Sequence, residues 1–183
     1  MTNARVSGCA AVVAALLMCG HAAAEVKSVG NSGFEVREQA HVAAAPAAVY
    51  AALIAPERWW DSEHSYSGSA ANITLDAKAG GCWCEALPDG GSALHLTVVY
   101  AAPGKALRLR GALGPLQAMG VEGSMTITVK GDSGGTVLTL DYAVGGYSKD
   151  GFETLSKAVD GVLGQQVARL QRLVETGAAA ARH

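Results

Sequence analysis

The period of the apolar residues changes once, near residue 150, and that change constrains the fold more than any motif. From Val121 to Lys130 every second residue faces one way: Val121, Gly123, Met125, Ile127 and Val129 against Glu122, Ser124, Thr126, Thr128 and Lys130. After a tight turn over Gly131–Gly135, Leu138, Leu140, Tyr142 and Val144 repeat the pattern. A two-residue period marks a half-buried strand. Beyond Asp150 the period becomes 3.6: Phe152, Leu155, Val159, Val162, Leu163, Val167, Leu170, Leu173 and Val174 form one stripe. This predicts a single amphipathic helix of about 24 residues, about 36 Å long. Asp150 is its expected N-cap, with Glu153 three residues on completing a capping pair. Gly161 and Gly164 lie off the stripe, and nothing in the sequence accounts for them.

The strands before this helix are short and separated by turn residues. Gly33–Ala43 alternates, with Phe34, Val36, Ala40 and Val42 on one face; Glu38 falls on that apolar face and predicts a register break or an edge position. Pro46 opens a helix at a position proline tolerates, running to Ile54, and Pro56 either ends it or begins a second short turn through Trp60. Asn72–Asp76, Cys82–Leu87, Ala93–Tyr100 and Lys105–Leu113 are the remaining strands, and Pro88-Asp89-Gly90-Gly91 is a hairpin turn. On Ala93–Tyr100 the inward residues are Leu94, Leu96, Val98 and Tyr100; on Lys105–Leu113, Leu107 and Leu109. Val26–Ser32 is a polar lead-in. The order predicts an α+β domain: an antiparallel meander of about six or seven strands, apolar on one face. A sheet of this size curls, and the terminal helix is the element long enough to cover its apolar face. A curled sheet wrapped on one helix leaves space between them.

The ends are set apart by composition. Arg5, then the uncharged run Cys9–Met18, then Ala22-Ala23-Ala24 have the order of a secretory signal peptide, with cleavage expected before Glu25. Met18 argues against a lipidated Cys19. The expected organisation is a signal over 1–24, one domain over 25–176 and a frayed Ala-rich tail over 177–183, in a periplasmic or secreted protein. The net charge is −2 with no basic run, which argues against nucleic-acid binding. No apolar stretch reaches the roughly 20 residues of a membrane span. Cys82 and Cys84, one residue apart on a strand, point the same way and fit disulfide geometry poorly; two small buried side chains are expected. Their spacing to His95 matches no zinc pattern, and no metal or other cofactor is expected.

Several segments resemble the SRPBCC superfamily of helix-grip proteins, which includes START lipid-transfer domains, polyketide cyclases and heat-shock-protein-90 ATPase-activator homologues. These are Ala45-Pro46-Ala47-Ala48-Val49-Tyr50, Pro56-Glu57-Arg58-Trp59-Trp60, Gly80-Gly81 ahead of Trp83 and Glu85, and the strand pair ending Leu140-Asp141-Tyr142 before the final helix. The resemblance covers nearly all of the mature chain. It implies a helix-grip fold holding an apolar or amphipathic ligand between sheet and helix.

Candidate site residues follow from that arrangement. Trp59 and Trp60 stand at the expected mouth of the sheet, as a gate or as core. Trp83 and Glu85 share one strand face, and an outward face with Glu85 as a surface charge is favoured. Leu96, Leu109, Met125, Tyr142 and Phe152 are inward by their patterns. Gln166 lies inside the helix's apolar stripe, where a buried amide needs a partner. His41 and His95 fall on polar faces and are expected to be exposed, and Asp61, Glu63 and His64 read as a solvated loop. No nucleophile elbow and no phosphate-binding loop is present. The leading expectation is a binding protein for a small hydrophobic molecule. The alternatives are a cyclase- or hydrolase-type enzyme needing Glu85, Glu38 or Tyr142 in the cavity, and an interaction module whose three tryptophans fill the space.

Overall fold

The structure, a computed structural model, describes residues 23–180. The expected signal through Ala22, with Arg5, Cys9 and Cys19, and the last residues of the tail, 181–183, lie outside the described residues. One antiparallel sheet holds eight strands: β1 (Ala23–Gly30), β2 (Gly33–Val42), β3 (Ile73–Leu75), β4 (Cys82–Ala86), β5 (Ser92–Ala102), β6 (Ala106–Arg110), β7 (Gly120–Asp132) and β8 (Gly135–Tyr147). Their spatial order is β1-β2-β8-β7-β6-β5-β4-β3. β3 to β8 are therefore a meander, and the first two strands add to its far edge through β2 and β8. Helix α1 (Pro46–Leu53) follows β2, and α2 (Glu153–Thr176) closes the chain with 24 residues, packing on β2 and β1. No described helix is long and apolar enough to cross a membrane.

The strand count exceeds the expected six or seven because Val26–Ser32 is not a lead-in. Val26–Gly30 belongs to an edge strand, β1, registered on β2 from Ala23↔Gln39 to Gly30↔Gly33, and Asn31 and Ser32 form the turn between them. An edge strand has one partner and carries no strict apolar alternation. Glu38 is neither a register break nor an edge residue. It pairs in step with Leu140 and is fully buried between Val36 and Ala40. Its carboxyl faces Asp160 of α2. Burial first, then the Asp160 charge and a hydrogen bond to it, push the Glu38 carboxyl up to about 8. Neither Glu38 oxygen meets a donor among the described residues, which leaves the ionised form without compensation. The remaining neighbours on that face, Val36, Ala40 and Leu140, are apolar.

The N-cap of α2 lies two residues later than expected. Gly151 takes a left-handed φ of 76°, Phe152 occupies the N-cap position, and Asp150 makes no capping bond. Strand β5 departs most from simple alternation. Cys84 pairs with Leu94 and Trp83 with Leu96, so His95 is an extra residue without a partner on β4. Val98 pairs with Leu109 and Tyr100 with Arg108, so Val99 is extra as well. Each bulge re-aims the residues beside it. Leu94 and Tyr100, expected inward, are 55% and 45% exposed. His95, expected outside, is 6% exposed.

Trp83 and Glu85 face inward, at 2% and 1% exposure, contrary to the outward face expected of Glu85. Trp83 lies opposite buried Leu96, which fixes its face. Cys82 and Cys84 therefore share the other face, and they form a disulfide. A fully extended strand would separate their Cα atoms by about 6.6 Å. Beside the β5 bulge the separation is 5.4 Å, close to the commonest spacing of a bridged pair rather than at its upper limit.

Candidate ligand-binding site

The two halves of α2 do different work. Its C-terminal half buries Val167, Leu170 and Leu173 against the sheet. Its N-terminal half carries Leu155, Val159 and Val162 on the same stripe, yet these are only half-buried. They face a cavity of about 380 Å³. Ile73, Trp83, His95 and Tyr142 form the sheet wall, and residues 63–66 and 113–116 form the rim. That volume lies in the range of about 300–1,000 Å³ typical of small-molecule sites.

Three tryptophans close one side. Trp60 and Trp83 meet edge to face with centroids 5.2 Å apart, and Trp59 contacts both at 5.6 and 6.1 Å. Trp59 Nε1 donates to the Ala52 carbonyl at 3.0 Å and Trp60 Nε1 to that of His64 at 2.9 Å, so neither indole carries an unmet donor into the apolar interior. Trp60 and Trp83 line the cavity, whereas Trp59 packs behind them.

One turn of α2 clamps the segment that follows. Gln166 Oε1 accepts the Asp61 N–H at 2.8 Å, and Gln165 donates to the Asp61 carboxylate at 3.0 Å. Arg169 donates to the carbonyls of Trp59 at 2.8 Å and Trp60 at 3.4 Å, and its Nη1 lies 3.3 Å from Asp61 Oδ2. Further along, Glu85 takes over. Its carboxylate accepts the N–H groups of Tyr66, at 3.1 Å, and Ser67, and is 2.8 Å from His95 Nε2. Burial alone would push the Glu85 carboxyl up. The hydrogen bonds from Ser67, His95 and Tyr66 outweigh it and hold the group below the usual carboxylate range. Opposite, Tyr142 donates to the Gly111 carbonyl at 2.9 Å and accepts the Leu113 N–H at 3.0 Å, tying down the far rim. Burial first, with the charge of Glu122, pushes the Tyr142 phenol up to about 12 against the Leu113 hydrogen bond.

A family described as polyketide cyclase / dehydrase and lipid transport matches residues 33–175. The chain belongs to that family. It is a family of the SRPBCC type, and several solved structures have a similar fold. A conserved protein of unknown function from Enterococcus faecalis is 16% identical, with 83% of this chain and 77% of that one covered and a TM-score of 0.56. Protein MLL2253 from Mesorhizobium loti is 18% identical over 76% of this chain and 96% of that one, also at 0.56. CalU16 from Micromonospora echinospora is 14% identical over 86% and 84%, at 0.54. At these identities the likeness establishes the fold. No curated protein matches.

Within this family fold the sequence-derived candidates separate into three groups. Trp60, Trp83 and Tyr142 line the cavity. Leu96, Leu109 and Met125 are fully buried core of the sheet, and Phe152 packs on Phe34 at 6.0 Å. Trp59, Glu85 and Gln166 stand one layer back, as packing or as hydrogen-bonding supports. Sequence reasoning missed Tyr66 and His95. Tyr66 sits in a loop without periodicity, and His95 is displaced by a bulge that alternation cannot register. Among the described residues, no group of three or more His, Cys, Asp or Glu side chains gathers at a metal-sized site.

Proposed function

We propose that this chain is an exported binding protein for a small hydrophobic or amphipathic molecule, held between the sheet and the first half of α2. The observation that carries the reading is the stretch of helix stripe left off the sheet. Leu155, Val159 and Val162 are the residues an amphipathic helix would bury, and they border a cavity instead. Leaving so much apolar surface uncovered costs about 25 cal/mol per Å², which an apolar ligand recovers. Membership of a family described by cyclase, dehydrase and lipid-transport activities supports the same class of ligand.

The observations favour binding over turnover by the groups singled out from the sequence. Glu38 lies off the cavity against Asp160, Glu85 is committed to three donors, and both lone functions of the Tyr142 hydroxyl are engaged. The tryptophans do pack together, as a filled interaction module requires, but the space beside them argues for a ligand. Export rests on the leader-like first 24 residues, with the working domain at 25–176 in the periplasm or outside the cell.

Native mass spectrometry of the exported mature protein, followed by solvent extraction, tests the reading. A co-purifying lipid or aromatic metabolite is expected. A clean apo mass combined with no response to apolar fluorescent probes would overturn it, and recovery of an uncleaved chain from the cytoplasm would overturn export.

A further inference from the structure

The cavity wall contains a buried acid–imidazole pair. Glu85 holds its position through two backbone N–H groups, and its Oε2 lies 2.8 Å from His95 Nε2. An ionised carboxylate only accepts, so the proton between them sits on Nε2, and the imidazole is fixed in one tautomer and one orientation. Its other nitrogen, Nδ1, is then an acceptor in the neutral ring. Nδ1 is buried and has no hydrogen-bond partner among the described residues. Leaving a buried acceptor unmet is unfavourable, and this one belongs to a residue lining a mostly apolar space.

The surrounding rings say what could meet it. The ring of Tyr66 stacks on the imidazole with centroids 5.5 Å apart and planes at 23°. Tyr66 is 48% exposed and lines the rim, and its ring covers one face of the imidazole. The aromatic faces and edges of Trp60, Trp83 and Tyr142 in the same space suit a ring better than a flexible chain.

We propose that His95 is the polar anchor of the cavity, and that it selects an apolar ring compound bearing a neutral hydroxyl whose O–H donates to Nδ1 in the plane of the imidazole. This rests on the binding reading above and adds to it a ligand class and a residue. A ligand offering only an acceptor leaves Nδ1 unmet and loses the advantage.

The test is calorimetric titration of the mature protein with 4-propylphenol and with its O-methyl ether, which has nearly the same shape but no donor. The phenol is expected to bind about tenfold tighter, as one added hydrogen bond implies, and His95→Phe is expected to abolish that preference while the ether still binds. Equal affinities in the wild type, or a preference that survives His95→Phe, would overturn the anchor and leave the cavity reading standing. Binding of neither probe would overturn the anchor, and together with a clean apo mass it would overturn the cavity reading as well. The imidazole nitrogen spectrum of the wild-type protein gives a reading that needs no variant: the Nδ1 resonance should move with the phenol and stay with the ether, and the same movement for both would again overturn the anchor.

Discussion

The side-chain oxygen of Gln166 accepts the backbone N–H of Asp61 at 2.8 Å, joining the middle of α2 to the start of the cavity rim. Gln166 is 1% exposed, so its loss leaves a buried amide without a partner. Gln166→Leu should destabilise the protein by about 1–3 kcal/mol, seen as a lower urea midpoint with an unchanged slope. An unchanged midpoint would mean the clamp contributes nothing to stability.

Glu38 sets an unusual alkaline limb on stability. Its carboxyl is raised in the fold from an ordinary value near 4.5 to about 8. Between those values the folded state therefore holds a proton that the unfolded state has released. Stability is full below about pH 4.5 and declines as pH rises through about 8, by at most about 5 kcal/mol. Asp160 is the charged group facing it, and the rest of that face is apolar. Glu38→Gln should flatten this limb in urea titrations run at pH 5, 7 and 9. Glu85, held below its usual range, acts in the opposite sense and loses its contribution as the solution becomes acidic.

Gly123 gives way to an aromatic ring. A Cβ there would lie 2.5 Å from Tyr142 Cε2 and 2.7 Å from the Gly111 carbonyl oxygen. The ring cannot withdraw without breaking its bonds to Gly111 and Leu113. Gly123→Ala should cost about 1–3 kcal/mol by overpacking and weaken probe binding, because the 113–116 rim is released. A variant with wild-type melting temperature and probe affinity would contradict this.

Gly161 is the reverse case. It is exposed, in the middle of α2, its backbone is not left-handed, and a methyl group placed on its Cα would have nothing within 4 Å. Gly161→Ala should stabilise by about 1 kcal/mol, raising the melting temperature by about 2–4 °C. No gain would point to a need for local flexibility over the cavity.

Much of the architecture was legible because it depends on period. The 24-residue helix, the β7–β8 hairpin and the inward Leu109, Met125 and Tyr142 all follow from repeats that a regular element must obey. The misreadings lie where one residue is added or one element stands at an edge. The bulge at His95 turned Leu94 outward and His95 inward, and β1 carries too few apolar residues to announce a strand. Gln166 was conspicuous as a polar residue in an apolar stripe, but its partner, a backbone N–H more than 100 residues away, has no trace in the local sequence.

The rim between Trp59 and Ser67 is gripped at both ends through its main chain. Arg169 and Gln166 take the carbonyls of Trp59 and Trp60 and the N–H of Asp61, and Glu85 takes the N–H groups of Tyr66 and Ser67. Main-chain carbonyls are common to every residue type, and N–H groups to all but proline. Glu63, His64 and Tyr66, which look into the cavity from this stretch, can therefore be exchanged over evolutionary time while the loop retains its course. Such a scaffold can drift from one ligand to another by rewriting a few letters of a fixed frame.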